Sequence, residues 1–168
     1  MTATYDCIAT TTLGSATSSV TFSSISGSYT DLVILGMVAN QGTAAAAGFT
    51  CRFNSDSGSN YSVTYLRGNG SSAASSRLSN QTKGLYAIEV DSTTSFSALQ
   101  LNIMNYSNST TYKTWISRSG MASRGTEAIV GLWRSTSAIT SIELFSTDTG
   151  GQNFASGSTF SLFGIKAE

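Results

Sequence analysis

The chain has 168 residues and a mass of 17.5 kDa, enough for one domain with a real core and too little to divide comfortably into two. Charged residues make up 11%, apolar residues 40%, Ser and Thr together roughly a third, and 9 Lys and Arg balance 9 Asp and Glu. This argues against intrinsic disorder, which goes with few apolar residues and high net charge, and against a dedicated nucleic-acid or membrane-surface protein, which needs a basic footprint.

Strand signals recur at intervals of about ten residues, separated by clusters of Gly, Ser, Asn and Asp, the spacing of an all-β sandwich or barrel. The first are predicted over Tyr5 to Thr12 and Val20 to Ile25, followed by Asp31 to Ala39, which contains the nearly continuous apolar run LVILGMV. QGTAAAAG, Gln41 to Gly48, reads as a turn of helix or a loop tip. Phe49 to Asn54 and Ser62 to Leu66 come next, and GNGSSAASSRLSNQTKG, Gly68 to Gly84, reads as a loop with a short helical turn around Ser72 to Arg77. The remaining strands are predicted over Gly84 to Val90, Phe96 to Tyr106, Tyr112 to Arg118, Glu127 to Arg134, Ile139 to Ser146 and Thr159 to Ala167.

Leu99, Leu101 and Ile103 alternate with Ala98, Gln100 and Asn102, as Ile142 and Leu144 do with Ser141 and Glu143. Such strands bury one face and wet the other, which is antiparallel-sheet behaviour. LVILGMV (Leu32 to Val38) and AIVGLW (Ala128 to Trp133) break the alternation. Their strands call for cover on both faces, by a second sheet and by a loop or neighbouring subunit, with oligomerisation the simplest cover. The expectation is a single domain over 1–168, an all-β antiparallel β-sandwich of jelly-roll type with roughly ten to eleven strands. Gly36, Gly131 and Gly164, each set among large apolar residues within a strand, are read as seats for aromatic rings. With no proline in the chain, Gly, Asn, Asp and Ser must make every turn.

Histidine is also absent, which removes the usual general base, the commonest zinc ligand and every Ser-His or Cys-His arrangement. Glu89 and Asp91, two apart, could imitate a glycosidase couple; an exposed strand end is the stronger reading. FNSDSGSNYS, Phe53 to Ser62, looks like a small metal loop and is echoed by FSTDTGGQNFAS, Phe145 to Ser156. Calcium takes six to eight oxygens with several carboxylates, so Asp56, Asn60 and Asp148 are weak metal candidates and no cofactor is expected. The turn reading is stronger: Phe ends a strand facing inward, Asp accepts backbone N–H groups, Gly58 and Gly150 take the left-handed conformation, and Asn-aromatic opens the next strand.

Lys113, Arg118, Arg124 and Arg134, with Glu127 among them, form the densest basic interval, either a solvated face or a docking patch for an acidic partner. Trp115, Trp133, Tyr61, Tyr65 and Tyr106 are either core residues or stacking platforms for a glycan. Cys7 and Cys51 read as free thiols acting as small buried hydrophobes, with a bridge between them the weaker alternative in a chain without an export signal. The opening MTATYDCIAT lacks the charged and apolar regions of a signal peptide, and no run reaches the ~18 apolar residues of a membrane span. The sequons at Asn60, Asn69, Asn80, Asn105 and Asn108 are therefore taken as accidents of a Ser/Thr-rich chain.

The order of phrases YDCIATTTLGSATSSVTFSSI, YTDLVILG, FNSDSGSNYS with YLRGNGSSAASS, GLWRSTSAITSIELF and GSTFSLFGIKA resembles small virion proteins of tailed phages, especially those of aquatic bacteria. The resemblance covers nearly the whole chain and includes no catalytic motif. It implies a jelly-roll-like sandwich that forms part of the particle. The implied role is a non-enzymatic capsid decoration (cement) protein, commonly a homotrimer, that stabilises the head by binding the capsid surface; a polysaccharide-cleaving enzyme is a minor alternative. The main alternative is a tail or tail-fibre component with a carbohydrate- or receptor-binding role. Decoration is favoured because the chain starts with Met, reads as a complete unit and lacks a coiled-coil or fibrous shaft. The implied partners are further copies of the chain, the major capsid protein or other virion proteins, and a host surface glycan, with no nucleic acid or membrane. The implied location is the virion, assembled in the host cytoplasm.

Overall fold

A computed structural model describes residues 4–42, 47–90, 95–146 and 152–166. Twelve strands form within them: β1 (Tyr5–Thr12), β2 (Ser19–Phe22), β3 (Asp31–Val38), β4 (Ala47–Phe53), β5 (Tyr61–Gly68), β6 (Ala73–Gln81), β7 (Gly84–Val90), β8 (Ser97–Met104), β9 (Lys113–Met121), β10 (Gly125–Trp133), β11 (Ile142–Ser146) and β12 (Thr159–Ile165). They make two sheets, one of eight strands in the order β1-β12-β3-β8-β9-β10-β5-β6 and one of four in the order β2-β11-β4-β7. Every pairing is antiparallel. The chain crosses repeatedly from one sheet to the other, so the protein is an all-β antiparallel sandwich with jelly-roll-type alternation.

The inward face follows from period-two patterning. In β9, Lys113, Trp115, Ser117, Ser119 and Met121 are buried while Thr114, Ile116 and Arg118 are exposed. In β10, Glu127, Ile129, Gly131 and Trp133 are buried while Thr126, Ala128 and Val130 are exposed. Leu32, Ile34, Leu101 and Ile103 of the large sheet meet Phe49, Cys51, Phe53, Tyr86, Ile142 and Leu144 of the small one, and each such large apolar side chain contributes about 1.5–3 kcal/mol when removed from water. One end of the core is an aromatic box. Phe53 stands edge-on to Trp115 at 5.4 Å between centroids, and Tyr61 stacks on Trp133 at 6.3 Å.

Two of the three mid-strand glycines seat rings as expected. A Cβ on Gly131 would lie 1.9 Å from the Trp115 indole, and one on Gly164 would lie 2.3 Å from the Tyr29 ring. Gly36 differs, because its nearest neighbours would be the Thr159 carbonyl at 3.1 Å and the Val38 and Leu99 side chains. A further seat escaped the pattern: Gly84, at the start of β7, receives the other side of Trp115, with a Cβ position 2.5 Å from the ring.

The strand count is one higher than expected because Ala73–Gln81, read as a loop with a helical turn, is strand β6. It pairs with β5 alone, at the edge of the large sheet, and all its residues but Gln81 are exposed. A strand wet on both faces carries no apolar alternation, so periodicity cannot reveal it.

With no proline the turns fall to Gly, Asn, Asp and Ser, and asparagine has a large share of them. Asn54 and Asn105 both sit at φ 50, with Ser24 and Ser55 also in the left-handed region, and Asn80 at φ 55 lies in β6 where its register with β5 shifts. A short polar side chain is tolerated at such angles. Asn69 and Asn108 form a second device twice over. Asn69 Oδ1 accepts the backbone N–H of Ser71 and Ser72 at 3.1 and 2.8 Å, and Asn108 Oδ1 accepts those of Thr110 and Thr111 at 2.7 and 2.9 Å. The Asn-x-Ser/Thr pattern at these two positions is thus an Asx-turn signature.

Candidate functional site

FNSDSGSNYS is the crossover that carries the chain from β4 in the small sheet to β5 in the large one. Phe53 ends β4 fully buried, and the Asp56 N–H bonds the Phe53 carbonyl at 2.9 Å across Asn54 and Ser55, both at positive φ. The left-handed residues are therefore Asn54 and Ser55, not Gly58 as the sequence suggested. Gly58 is required for space: its Cβ would lie 2.9 Å from Asn60 Nδ2 and 3.0 Å from Asp56 Oδ1. Asn54 ties the crossover to the approach to β11, donating to Ala138 O at 2.7 Å and accepting from the Thr140 and Ser141 N–H groups.

Asp56 is consumed by this corner. Its Oδ1 accepts the Gly58 N–H at 2.8 Å, and its Oδ2 accepts Asn60 Nδ2 at 2.9 Å and Trp133 Nε1 at 2.6 Å. Partial desolvation pushes the carboxyl pKa up, but the Trp133, Asn60 and Gly58 donors and the Arg52 charge outweigh it and hold the group below the ordinary aspartate value. The structure thus makes Asp56 the shared acceptor of Asn60 and Trp133. No group of three or more His, Cys, Asp or Glu able to hold a metal occurs among the described residues. Asp148 and Gly150 lie outside the described residues, as does Asp91, and the Glu89 side chain is not described. Where the echo is described it is not equivalent. Phe145 is half-buried beneath the Arg52 guanidinium, 4.7 Å from the ring centre, whereas Phe53 is wholly inside. Ser146 pairs with Phe49, at the opposite end of the small sheet from the Phe53 corner.

The basic interval does not form one patch. Lys113 is buried, with its ammonium donating to the carbonyls of Thr111 at 2.8 Å and Thr136 at 3.1 Å, and desolvation lowers its pKa. Arg134 closes the Asp56 corner through Ser62 Oγ at 2.7 Å, Ser59 O at 2.6 Å and Asn80 Oδ1 at 2.9 Å. Arg124 lies half-buried in the β9–β10 turn. Only Arg118 stands exposed in the middle of the outer face of the large sheet, where it donates to Gln100 Oε1 at 2.8 Å. The order of residues along the chain gave no sign of this, because alternate residues of one strand go to opposite faces.

The proposed stacking aromatics are core: Trp115, Trp133, Tyr61 and Tyr106 are at most 2% exposed, and Tyr65 is half-buried. Cys51 is buried and Cys7 exposed, both as free thiols, so only Cys51 behaves as the small buried hydrophobe expected.

What remains open is the outer face of the large sheet. Leu35 and Met37 from β3, Ile116 from β9, Val130 from β10 and Leu66 from β5 are 41–62% exposed on it. Register sets them in rows: Ile116 opposite Val130, Val130 opposite Thr64, Thr64 opposite Arg77; and Arg118 opposite Ala128, Ala128 opposite Leu66. Shallow hollows of about 550 and 280 Å³ lie along these rows, bordered by Leu66, Ala128 and Arg118. The sequence signal that could have found this face is the failure of alternation in LVILGMV and AIVGLW.

No family model matches the chain, and no curated protein matches its sequence. Among solved structures it is similar to a galectin of Caenorhabditis elegans, LEC-6, at 8% identity and a TM-score of 0.39 over 94% of this chain and 95% of that one. It is also similar to an alginate lyase in complex with an alginate tetrasaccharide, at 8% identity and a TM-score of 0.36 over 95% of this chain and 80% of that one.

Proposed function

We propose that the protein is a non-enzymatic structural protein of a tailed-phage particle, bound as an oligomer to the capsid surface, where it acts as a decoration (cement) protein. The observation that carries this reading is the outward half of the two continuous apolar runs. In LVILGMV and AIVGLW the residues facing away from the core include Leu35, Met37 and Val130, 44%, 49% and 57% exposed. Exposed aliphatic patches on a sheet mark an interaction surface, here Leu35 and Met37 on β3 and, across Gln100 and Asn102 of β8, Ile116, Val130 and Leu66. Covering them with another molecule stabilises the contact by about 25 cal/mol per Å² of apolar area. Strand β6, a nine-residue edge with no proline and one charge, Arg77, adds a free backbone ladder of the kind that pairs with further chains. The resemblance of the sequence to phage virion proteins supplies the biological setting.

Decoration has a direct test in the number of copies per particle, measured by quantitative mass spectrometry of purified virions. Copies comparable to the major capsid protein are expected. Particles lacking the protein should lose thermal stability while adsorbing normally to the host. A few copies confined to the tail, or binding of the purified protein to host glycans, would overturn the reading. The tail-fibre alternative has less support, since four of the five rings singled out for stacking, Trp115, Trp133, Tyr61 and Tyr106, lie in the core, and the exposed rings among the described residues are the tyrosines Tyr5 and Tyr112.

A further inference from the structure

We infer that the outer face of β5, β6, β9 and β10 docks an extended acidic peptide segment of the particle protein to which this chain binds, gripped by Arg77 and Arg118 with its aliphatic side chain between them. The inference rests on the decoration reading and adds the chemistry of the partner.

The face is charged with one sign only. Among the outward positions of β5, β6, β8, β9 and β10 the charged residues are Arg77 and Arg118; the single carboxylate in these strands, Glu127, faces inward and is 3% exposed. Both guanidiniums are bonded to neutral oxygens, Arg118 to Gln100 Oε1 at 2.8 Å and Arg77 to Thr64 Oγ1 at 3.3 Å. Each keeps N–H donors for a carboxylate, with which arginine forms the stronger, charge-assisted pair. A second copy laid face to face would bring like charges and no carboxylate, so the complement must come from a different, acidic surface.

Spacing and surface type narrow the occupant. Arg118 and Arg77 are three strands and two residues of register apart, roughly 16 Å at ~4.8 Å per strand and ~3.4 Å per residue. Two carboxylates four residues apart on one side of an extended chain span about 13 Å, within reach of the two long arginine side chains. Between the charges lie Leu66, Ile116 and Val130, 62%, 41% and 57% exposed. Aliphatic groups with no ring among them suit a Val or Leu side chain and give a sugar no platform to stack on.

The test is an NMR titration of the full chain with the peptide Gly-Ser-Glu-Ser-Val-Ser-Glu-Ser-Gly, alongside its Glu-to-Lys counterpart and a uronic-acid oligosaccharide of equal charge. Methyl and amide shifts should change at Leu66, Ile116 and Val130 with the acidic peptide only. Binding should weaken at least tenfold in Arg77→Glu/Arg118→Glu and as salt is raised. If that double variant does not fold, Arg77→Gln/Arg118→Gln, which removes charge alone, should still weaken binding severalfold. The inference is overturned if no shift occurs up to millimolar peptide, if the shifts fall elsewhere, if the arginine variants bind normally, or if the oligosaccharide binds this face as tightly. The same variants added to particles lacking the protein separate this inference from the reading beneath it. Normal decoration by them removes the acidic-segment inference and leaves decoration standing. A peptide that binds while virions carry no copies removes decoration and leaves the acidic-peptide site.

Discussion

The indole N–H of Trp133, at the end of β10 in the large sheet, donates to Oδ2 of Asp56, in the crossover from the small sheet, at 2.6 Å. With the Asn60 and Gly58 donors it favours the ionised carboxyl, so the folded-state pKa lies below the unfolded one. The stabilisation is therefore fully present above the unfolded value of about 3.9 and is lost as the pH falls through the folded value. Asp56→Asn should cost about 1–2 kcal/mol at pH 7, and urea unfolding should show the gap between the two proteins narrowing near pH 3. A gap that stays constant from pH 8 to pH 3 would dismiss the charge-assisted account.

Trp115 lies between Gly131 of one sheet and Gly84 of the other, with ideal Cβ positions 1.9 and 2.5 Å from its ring. Gly131→Ala forces the largest core side chain to move and should cost about 3 kcal/mol or more. Gly36→Ala, whose nearest neighbour is 3.1 Å away, should cost less than about 1 kcal/mol, since alanine also gains strand propensity. Adding Trp115→Phe to Gly131→Ala should return part of the loss. Equal midpoints for the two alanine variants in chemical denaturation would count against the ring-seat argument.

The basic residues should separate by role. Arg134→Ala breaks three hydrogen bonds at the corner and Lys113→Ala removes a buried ammonium held by two carbonyls; each should cost about 2 kcal/mol. Arg118→Ala, on the exposed face, should stay within about 0.5 kcal/mol. Thermal unfolding of the three variants decides the matter, and an Arg134→Ala protein as stable as Arg118→Ala would show that the corner is not held this way.

Cysteine reactivity reports the closure of the sandwich. Burial pushes the Cys51 thiol far above its usual value, while Cys7 is exposed on the edge strand β1. An aromatic disulfide reagent should titrate Cys7 alone in the native protein and both cysteines in denaturant. Rapid native-state reaction of Cys51 would mean that the sheets part readily.

The Tyr86 hydroxyl is buried with no hydrogen-bond partner among the described residues, and desolvation raises its pKa. Tyr86→Phe keeps the ring and removes the unpaired group, so it should raise stability by about 1 kcal/mol. A loss of similar size in calorimetry would point to a bond that the hydroxyl makes and the phenylalanine cannot.

The sequence alone determined the fold class, since alternation such as Leu99, Leu101, Ile103 against Gln100 and Asn102 is a local property that any partner strand would respect. It also determined that Gly, Asn, Asp and Ser must make the turns of a chain without proline, and that Leu32 to Val38 and Ala128 to Trp133 carry more apolar surface than one core face needs. Tertiary structure decided the rest. It made Ala73–Gln81 a strand, because backbone pairing with β5 requires no apolar pattern. It also sent Lys113 and Arg134 into structural roles and left Arg118 in the open, because register and the crossing between sheets assign each side chain its surroundings. The bond between Asp56 and Trp133 joins residues 77 apart in the chain. No local pattern encodes such a bond, which forms only when the two sheets have packed and brought both residues to one corner.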